Sequence, residues 1–108
     1  MSGDTKKEAI QKLNAFAVKI GYPDQWKDYS AVKITRQGAL ENWVATAEWR
    51  AKDNTNKFGK PIDGGEWGMT PPTVNAYYNS SMNEIVFPAG ILQPPFYDPK
   101  ADDAVNYG

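Results

Sequence analysis

The sequence predicts an α+β fold, in which two amphipathic helices are followed by a β-hairpin. Apolar residues recur at helical spacing in two stretches of the first half, whereas β-branched and aromatic residues alternate with polar ones in the second half. A turn-rich segment separates the two parts. The chain has 108 residues, which is enough for one domain with a core of moderate size.

The first helix is predicted over about residues 5–20. Thr5 and Glu8 fit a capping box, in which the hydroxyl and the carboxylate satisfy backbone N–H groups at the helix start. An apolar face follows, formed by Ile10, Leu13, Ala17 and Ile20 with Phe16 beside it. Gly21 and Pro23 are expected to end the helix, because glycine accepts left-handed backbone there and proline cannot continue a helix.

A second, longer helix is predicted over about residues 36–57. Thr35 is its candidate N-cap, and residues 58–59 supply a stop. The stripe expected to be buried consists of Leu40, Trp43, Val44, Ala47 and Ala51. Trp43 is therefore expected in the core, and Trp49 lies off the stripe.

The hairpin is predicted over about residues 73–91. Its strands are expected at 74–79 and 84–87, and Pro88, which lacks an N–H, should place the end of the second strand at a sheet edge or a bulge. Residues 102–107 should begin a short helix with two acidic residues at its positive end. A lone hairpin is marginal in water, so the pattern suggests a piece of a larger fold.

Composition excludes several classes of function. The chain has neither histidine nor cysteine, so it cannot by itself build a Ser-His-Asp triad, a thiol nucleophile or the usual zinc site. Twelve basic and thirteen acidic residues give a formal net charge of −1, which argues against a nucleic-acid partner. No apolar run approaches the roughly 20 residues that span a bilayer. Residues 1–3 are interpreted as an expression leader, without the features of a signal peptide.

Four motifs carry a family resemblance. The stretch N-A-Y-Y at 75–78 is followed by N-E-I-V-F-P-A-G-I-L-Q-P-P-F at 83–96, and K-I-G-Y-P-D at 19–24 and D-Y-S at 28–30 lie upstream. Together they resemble the neprilysin and endothelin-converting-enzyme family of zinc metallopeptidases, particularly the bacterial oligopeptidase O-like members. The similarity covers almost the whole chain after its first residues.

That resemblance implies that residues 4–108 are part of a thermolysin-like catalytic domain. In the family, a motif like that at 102–108 leads within a few positions into H-E-x-x-H, which supplies two zinc ligands and the general base. This sequence ends before such a motif. The resemblance therefore implies zinc in the parent enzyme, with no cofactor, metal ligand or catalytic residue in this chain, which should be inactive alone.

The resemblance assigns substrate binding to Asn75 and Ala76. The Asn side chain and the Ala main chain would hydrogen-bond the backbone of an extended peptide, as an exposed strand edge allows. Without the resemblance, Asn75 would be an ordinary solvent-facing strand residue. Tyr77 and Tyr78 are expected to pack rather than to contact substrate. The expected partners are thus a peptide backbone and the remainder of the parent domain.

A second interpretation stays open. The absence of histidine and cysteine, together with a complete hairpin pattern, is also compatible with a stand-alone, non-enzymatic peptide-binding or inhibitory module. The resemblance favours a bacterial source. It leaves open whether the location is cytoplasmic or at the cell envelope or outside the cell.

Overall fold

The structure is a computed structural model that describes residues 1–36 and 38–108. The chain forms two compact units, of which the first comprises Met1–Asp24 with Gly65–Gly108 and the second comprises Gln25–Gly64. The described residues form helices and a three-stranded mixed sheet, so the predicted α+β class is confirmed. No described helix combines the length and the apolar character that crossing a membrane requires.

The first unit is built around the sheet. Helix α1 (Gly3–Asn14) precedes strand β1 (Ala17–Gly21), and the hairpin strands β2 (Tyr77–Asn79) and β3 (Glu84–Pro88) follow much later in the chain. The strand order is β1-β3-β2, with β1 parallel and β2 antiparallel to β3. Because β3 has a neighbour on each side, the buried residues of the unit lie on it: Glu84, Val86 and Pro88.

The predicted first helix is too long. Helix α1 ends at Asn14, and residues 17–21 form β1, whose partners run from Ala17↔Glu84 to Gly21↔Pro88. Pairing with the distant strand β3 gives these residues backbone hydrogen bonds along one side of the strand and overrides their helix-like spacing. Gly21 does have the expected positive φ, of 90°, but it ends a strand.

The start and the apolar face of α1 also differ from the prediction. The N-cap is Ser2, whose Oγ accepts from the Thr5 N–H at 3.2 Å, so the Thr5 capping box does not form. Ile10 and Leu13 are 48% and 68% exposed, and α1 has no buried residue. In the described part of the chain, the apolar face of α1 is therefore not buried in a core.

The hairpin agrees with the prediction in its centre and differs at its ends. Strand β2 begins at Tyr77 rather than at residue 74, and Ala89–Ile91 form a 3-10 helix instead of continuing β3. Strand β3 is the central strand, but its pairing with β2 stops at Val86. Pro88 therefore has a neighbouring strand only on the side of β1, where its partner is Gly21. That position tolerates a residue without an N–H. Helix α3 (Asp103–Tyr107) forms as predicted, with Asp102 accepting from the Ala104 N–H at its start.

The second unit contains α2 (Ala39–Thr55), which confirms the second helix with slightly shorter bounds. Its N-cap is Gly38 and not Thr35, because the Asn42 side chain binds both the N–H and the carbonyl of Thr35, at 2.9 and 2.8 Å. Trp43 is 68% exposed, so its predicted place in the core is wrong. Trp49 is the partly buried tryptophan of α2.

Residues that precede α2 explain why Trp49 is covered. The Tyr29 ring lies 4.8 Å from the Trp49 ring, and the Lys27 ammonium lies 5.5 Å from that ring. Lys27 also pairs with Asp53, one turn further along the helix, at 2.8 Å. Trp49 and Asp53, which make these contacts, lie on the face of α2 opposite to the predicted apolar stripe.

The Lys27–Asp53 pair gives a pH-dependent prediction. The Lys27 ammonium, 2.8 Å from Asp53 Oδ2, lowers the pKa of Asp53 below its ordinary value. A lowered pKa adds stability that is present above the pKa of the unfolded chain and is lost as the pH falls through that of the folded chain. We expect Lys27→Met to raise the Asp53 pKa, measured by carboxyl NMR titration, more than Lys57→Met does, because Lys57 lies 3.9 Å from the same oxygen. An unchanged pKa in Lys27→Met would contradict the assignment.

Candidate functional site

The two residues assigned to substrate binding lie at one edge of the sheet. Asn75 and Ala76 directly precede β2, which is an outer strand in the order β1-β3-β2. Asn75 is exposed and Ala76 is partly buried. They precede the paired region of an outer strand, and the side of such a strand that has no neighbour is where an added strand can form hydrogen bonds.

A local hydrogen bond orients the Asn75 side chain. Its Oδ1 accepts from the Ala76 N–H at 2.8 Å. The carboxamide oxygen is thereby turned toward its own main chain, and the Nδ2 group is the part of the side chain that a ligand carbonyl can approach as an acceptor. A ligand that uses the Ala76 N–H must first displace Oδ1.

The loop that leads to Asn75 is held by hydrogen bonds, two of them to residues in or directly after the hairpin. The Gly68 N–H donates to the Tyr77 hydroxyl at 2.7 Å, and the Gly90 N–H donates to the Pro71 carbonyl at 2.8 Å. Thr73 closes a turn within the loop by donating its N–H to the Thr70 carbonyl at 2.9 Å. Asn75 and Ala76 therefore follow a loop that hydrogen bonds within the unit hold in place.

Gly90 permits the closest of these approaches. A Cβ atom built on Gly90 would lie 2.6 Å from the Pro72 carbonyl oxygen and 2.8 Å from that of Thr73. Both distances are shorter than real Cβ contacts, so a glycine is needed where the 3-10 helix meets the loop.

The far end of the hairpin is fixed to α1. The Tyr78 ring stacks on Phe16, with 5.5 Å between ring centroids, and the Tyr78 hydroxyl bonds the Asn83 side chain at 3.1 Å. Asn83, at a φ of 49°, donates from Nδ2 to the Lys12 carbonyl. Tyr77 thus contacts the loop and Tyr78 contacts residues on the helix side, which agrees with a packing role.

A buried ion pair lies beside the loop and is absent from the sequence prediction. Lys19 Nζ lies 2.5 Å from Glu84 Oε2, and the two side chains are 13% and 3% exposed. The same ammonium donates to the Glu66 carbonyl at 3.0 Å. The signal in the sequence is a lysine between the apolar residues Val18 and Ile20, which the helix prediction assigned to a helix end.

The chain's own residues do not fit a zinc site. Imidazole and thiolate ligands are missing from the sequence, and the described carboxylates include no cluster with two other potential metal ligands. Asp102 and Asp103 act at the start of α3, where Asp102 caps the helix. We therefore assign no step of metal chemistry to this chain.

Comparison with known proteins places the chain in a family. Residues 75–108 match the model of peptidase family M13. Over its whole length, the chain is 41% identical to an endothelin-converting enzyme homolog of Locusta migratoria and 43% identical to a neutral endopeptidase of Lactobacillus helveticus. It spans 16% and 17% of the lengths of these two relatives.

Solved structures agree with the sequence comparison. A zinc metalloprotease of Mycobacterium tuberculosis in complex with an inhibitor is 50% identical, with a TM-score of 0.91 over 99% of this chain and 16% of that chain. PepO of Lactobacillus rhamnosis is 36% identical, with a TM-score of 0.79 over 100% of this chain and 18% of that chain. The resemblance that the motifs indicate is confirmed: residues 75–108 match peptidase family M13, the family of neprilysin and the endothelin-converting enzymes, and the whole chain corresponds to a segment of such longer proteins.

Proposed function

We propose that the protein carrying this chain is a zinc metalloendopeptidase that hydrolyses peptide bonds in oligopeptides, and that this chain binds the substrate backbone. The relatives named neutral endopeptidase and zinc metalloprotease support the activity. The observation that carries the role of this chain is the position of Asn75 and Ala76 on the extension of an outer strand, within the segment that matches the family model.

The geometry of this edge suits an extended peptide. A strand added beside β2 would exchange backbone hydrogen bonds with it, and such bonds do not depend on the side chains of the peptide. Asn75 Nδ2 donates to a carbonyl of the bound peptide, while Oδ1 stays on the Ala76 N–H or yields it to the peptide. The small Ala76 side chain lets the peptide approach closely. This mode of binding accounts for a peptidase that accepts many sequences.

In this proposal, the chain's residues bind and orient the peptide and do not transfer protons. The chain lacks an imidazole, so the zinc ligands and the general base come from other sequence of the same protein. Catalysis then depends on holding the scissile carbonyl in a fixed place, since a small displacement of a bound substrate costs much of the rate.

The test of the activity is zinc-dependent cleavage by the full-length protein. We expect the purified protein to cleave an internally quenched oligopeptide, to lose this activity with 1,10-phenanthroline, and to regain it with added zinc. The 108-residue chain alone should show no cleavage with or without zinc. Cleavage that survives complete removal of the metal would contradict the proposal.

The alternative is a stand-alone peptide-binding or inhibitory module, which the absence of histidine and cysteine favours. The gene discriminates between the two. A reading frame that continues beyond Gly108 into H-E-x-x-H supports the peptidase, and a stop codon at that point supports the module.

A further inference from the structure

The Lys19–Glu84 pair needs an explanation other than stability. Glu84 lies on the central strand β3 and Lys19 on β1, and their side chains are almost fully shielded from water. Removing two charges from water costs about as much as their attraction returns, and an apolar pair of similar size is often equally stable. In this chain, the pair also fixes a geometry that apolar side chains would leave loose.

The pair fixes the position of the Lys19 ammonium relative to its second acceptor, the Glu66 carbonyl. Glu84 Oε2 accepts from the Lys19 ammonium. The other oxygen of the same carboxylate, Glu84 Oε1, lies 3.5 Å from Asn79 Nδ2. A second N–H of the ammonium donates to the Glu66 carbonyl at 3.0 Å. The carboxylate therefore holds the ammonium at a set place in the sheet, and the ammonium holds the backbone of residue 66.

Residue 66 lies near the start of the second stretch of the first unit, in the irregular segment that leads to Asn75 and Ala76. Further along this segment, the Tyr77 hydroxyl accepts a hydrogen bond from Gly68, and the Gly90 N–H donates one to Pro71. Tyr77 and Gly90 lie in or directly after the hairpin, whereas Lys19 lies on β1, on the opposite side of β3. Lys19 is thus a contact that ties the backbone of residue 66 to β1, the far strand of the sheet.

We propose that Lys19 is a positioning residue for the Asn75–Ala76 segment, acting through the Glu66 carbonyl and oriented by Glu84. The inference rests on the proposed function, because it names what keeps the peptide-binding segment in place. Lys19 does not touch the peptide. Its loss weakens substrate binding and leaves the chemical step of a bound substrate nearly unchanged.

Two variants of the full-length protein separate the roles of the pair. Glu84→Gln removes one charge and keeps Lys19 with its Glu66 contact. Lys19→Met combined with Glu84→Gln removes the Glu66 contact without leaving an unpaired carboxylate in the sheet. For each variant we would measure kcat, KM, the melting temperature, and amide hydrogen exchange of residues 66–76 by mass spectrometry.

We expect the double variant to raise KM about five-fold, as for the loss of one ordering hydrogen bond, with kcat changed less than about two-fold. Glu84→Gln keeps an oxygen that can accept from the Lys19 ammonium, so it should raise KM less than the double variant does. Residues 66–76 should exchange faster in the double variant than in Glu84→Gln. A merely structural role predicts instead that KM follows the melting temperature in both variants.

Equal KM values in the two variants, or equal exchange of residues 66–76, would overturn the role of Lys19 while leaving the peptidase intact. A wild-type protein that shows no zinc-dependent cleavage would instead overturn the proposed function. The exchange measurement does not depend on activity, so it shows separately whether Lys19 holds the loop.

Discussion

Replacing Gly90 by alanine is expected to destabilise the protein by about 2–3 kcal/mol, the cost of forcing an extra group into a filled space. The new Cβ would lie 2.6 Å from the Pro72 carbonyl oxygen and 2.8 Å from that of Thr73. These are backbone atoms of a loop that the Gly90 N–H itself holds through the Pro71 carbonyl. The loop can relieve the clash only by giving up that hydrogen bond, which displaces the residues leading to Asn75.

The matched control is Gly64→Ala. A Cβ on Gly64 meets no atom within 4 Å, and its φ lies outside the positive range that disfavours side chains. We expect a change of less than about 0.5 kcal/mol in either direction for this variant. Urea unfolding followed by tryptophan fluorescence compares the two variants in the full-length protein. Equal stability of Gly90→Ala and the wild type would show that the loop and the 3-10 helix do not meet as closely as the structure has them.

Elements with strong local signals could be predicted from the sequence. The long apolar spacing of residues 39–55 gives α2, the alternation and turn around residues 77–88 give the hairpin, and Asp102 gives the start of α3. Each signal lies within the element that it predicts, so no distant partner is needed to decide it.

Strand β1 could not be predicted in this way. Phe16, Ala17 and Ile20 fit a helical period, while Val18 and Ile20 fit the period of a strand, and the sequence alone does not choose between them. The choice is made by β3, which lies more than 60 residues along the chain and pairs with β1 in parallel. The helix-like spacing therefore extended α1 across residues that form a strand.

The same distance limits prediction of the site. Asn75 and Ala76 are identified by a family motif, since an Asn-Ala pair has no distinctive physical signal of its own. Lys19 and Glu84 each occur in a motif, but their contact depends on the register Ala17↔Glu84, which no local pattern sets. Without that register, Lys19 falls inside the predicted first helix, and the link to Glu66 stays hidden.

Asn75→Ala is expected to lower kcat/KM of the full-length protein by about 10- to 100-fold, as for the loss of one or two hydrogen bonds to the substrate. The change removes the Nδ2 donor offered to the peptide and the Oδ1 acceptor that orients the Ala76 N–H. Steady-state cleavage of a quenched peptide measures the effect. The exposed Asn54 of α2 provides a matched control, and Asn54→Ala should leave kcat/KM unchanged.

Asn75→Asp separates the two functions of the side chain. The carboxylate keeps an acceptor for the Ala76 N–H, so the local turn survives, but it has no donor and repels a peptide carbonyl. If Asn75 binds the peptide through Nδ2, this variant should lose at least as much kcat/KM as Asn75→Ala, with the loss mainly in KM. If Asn75 only shapes its own main chain, Asn75→Asp should retain wild-type activity. That result would remove Asn75 from the substrate site and leave backbone pairing along β2 as the sole mode of binding.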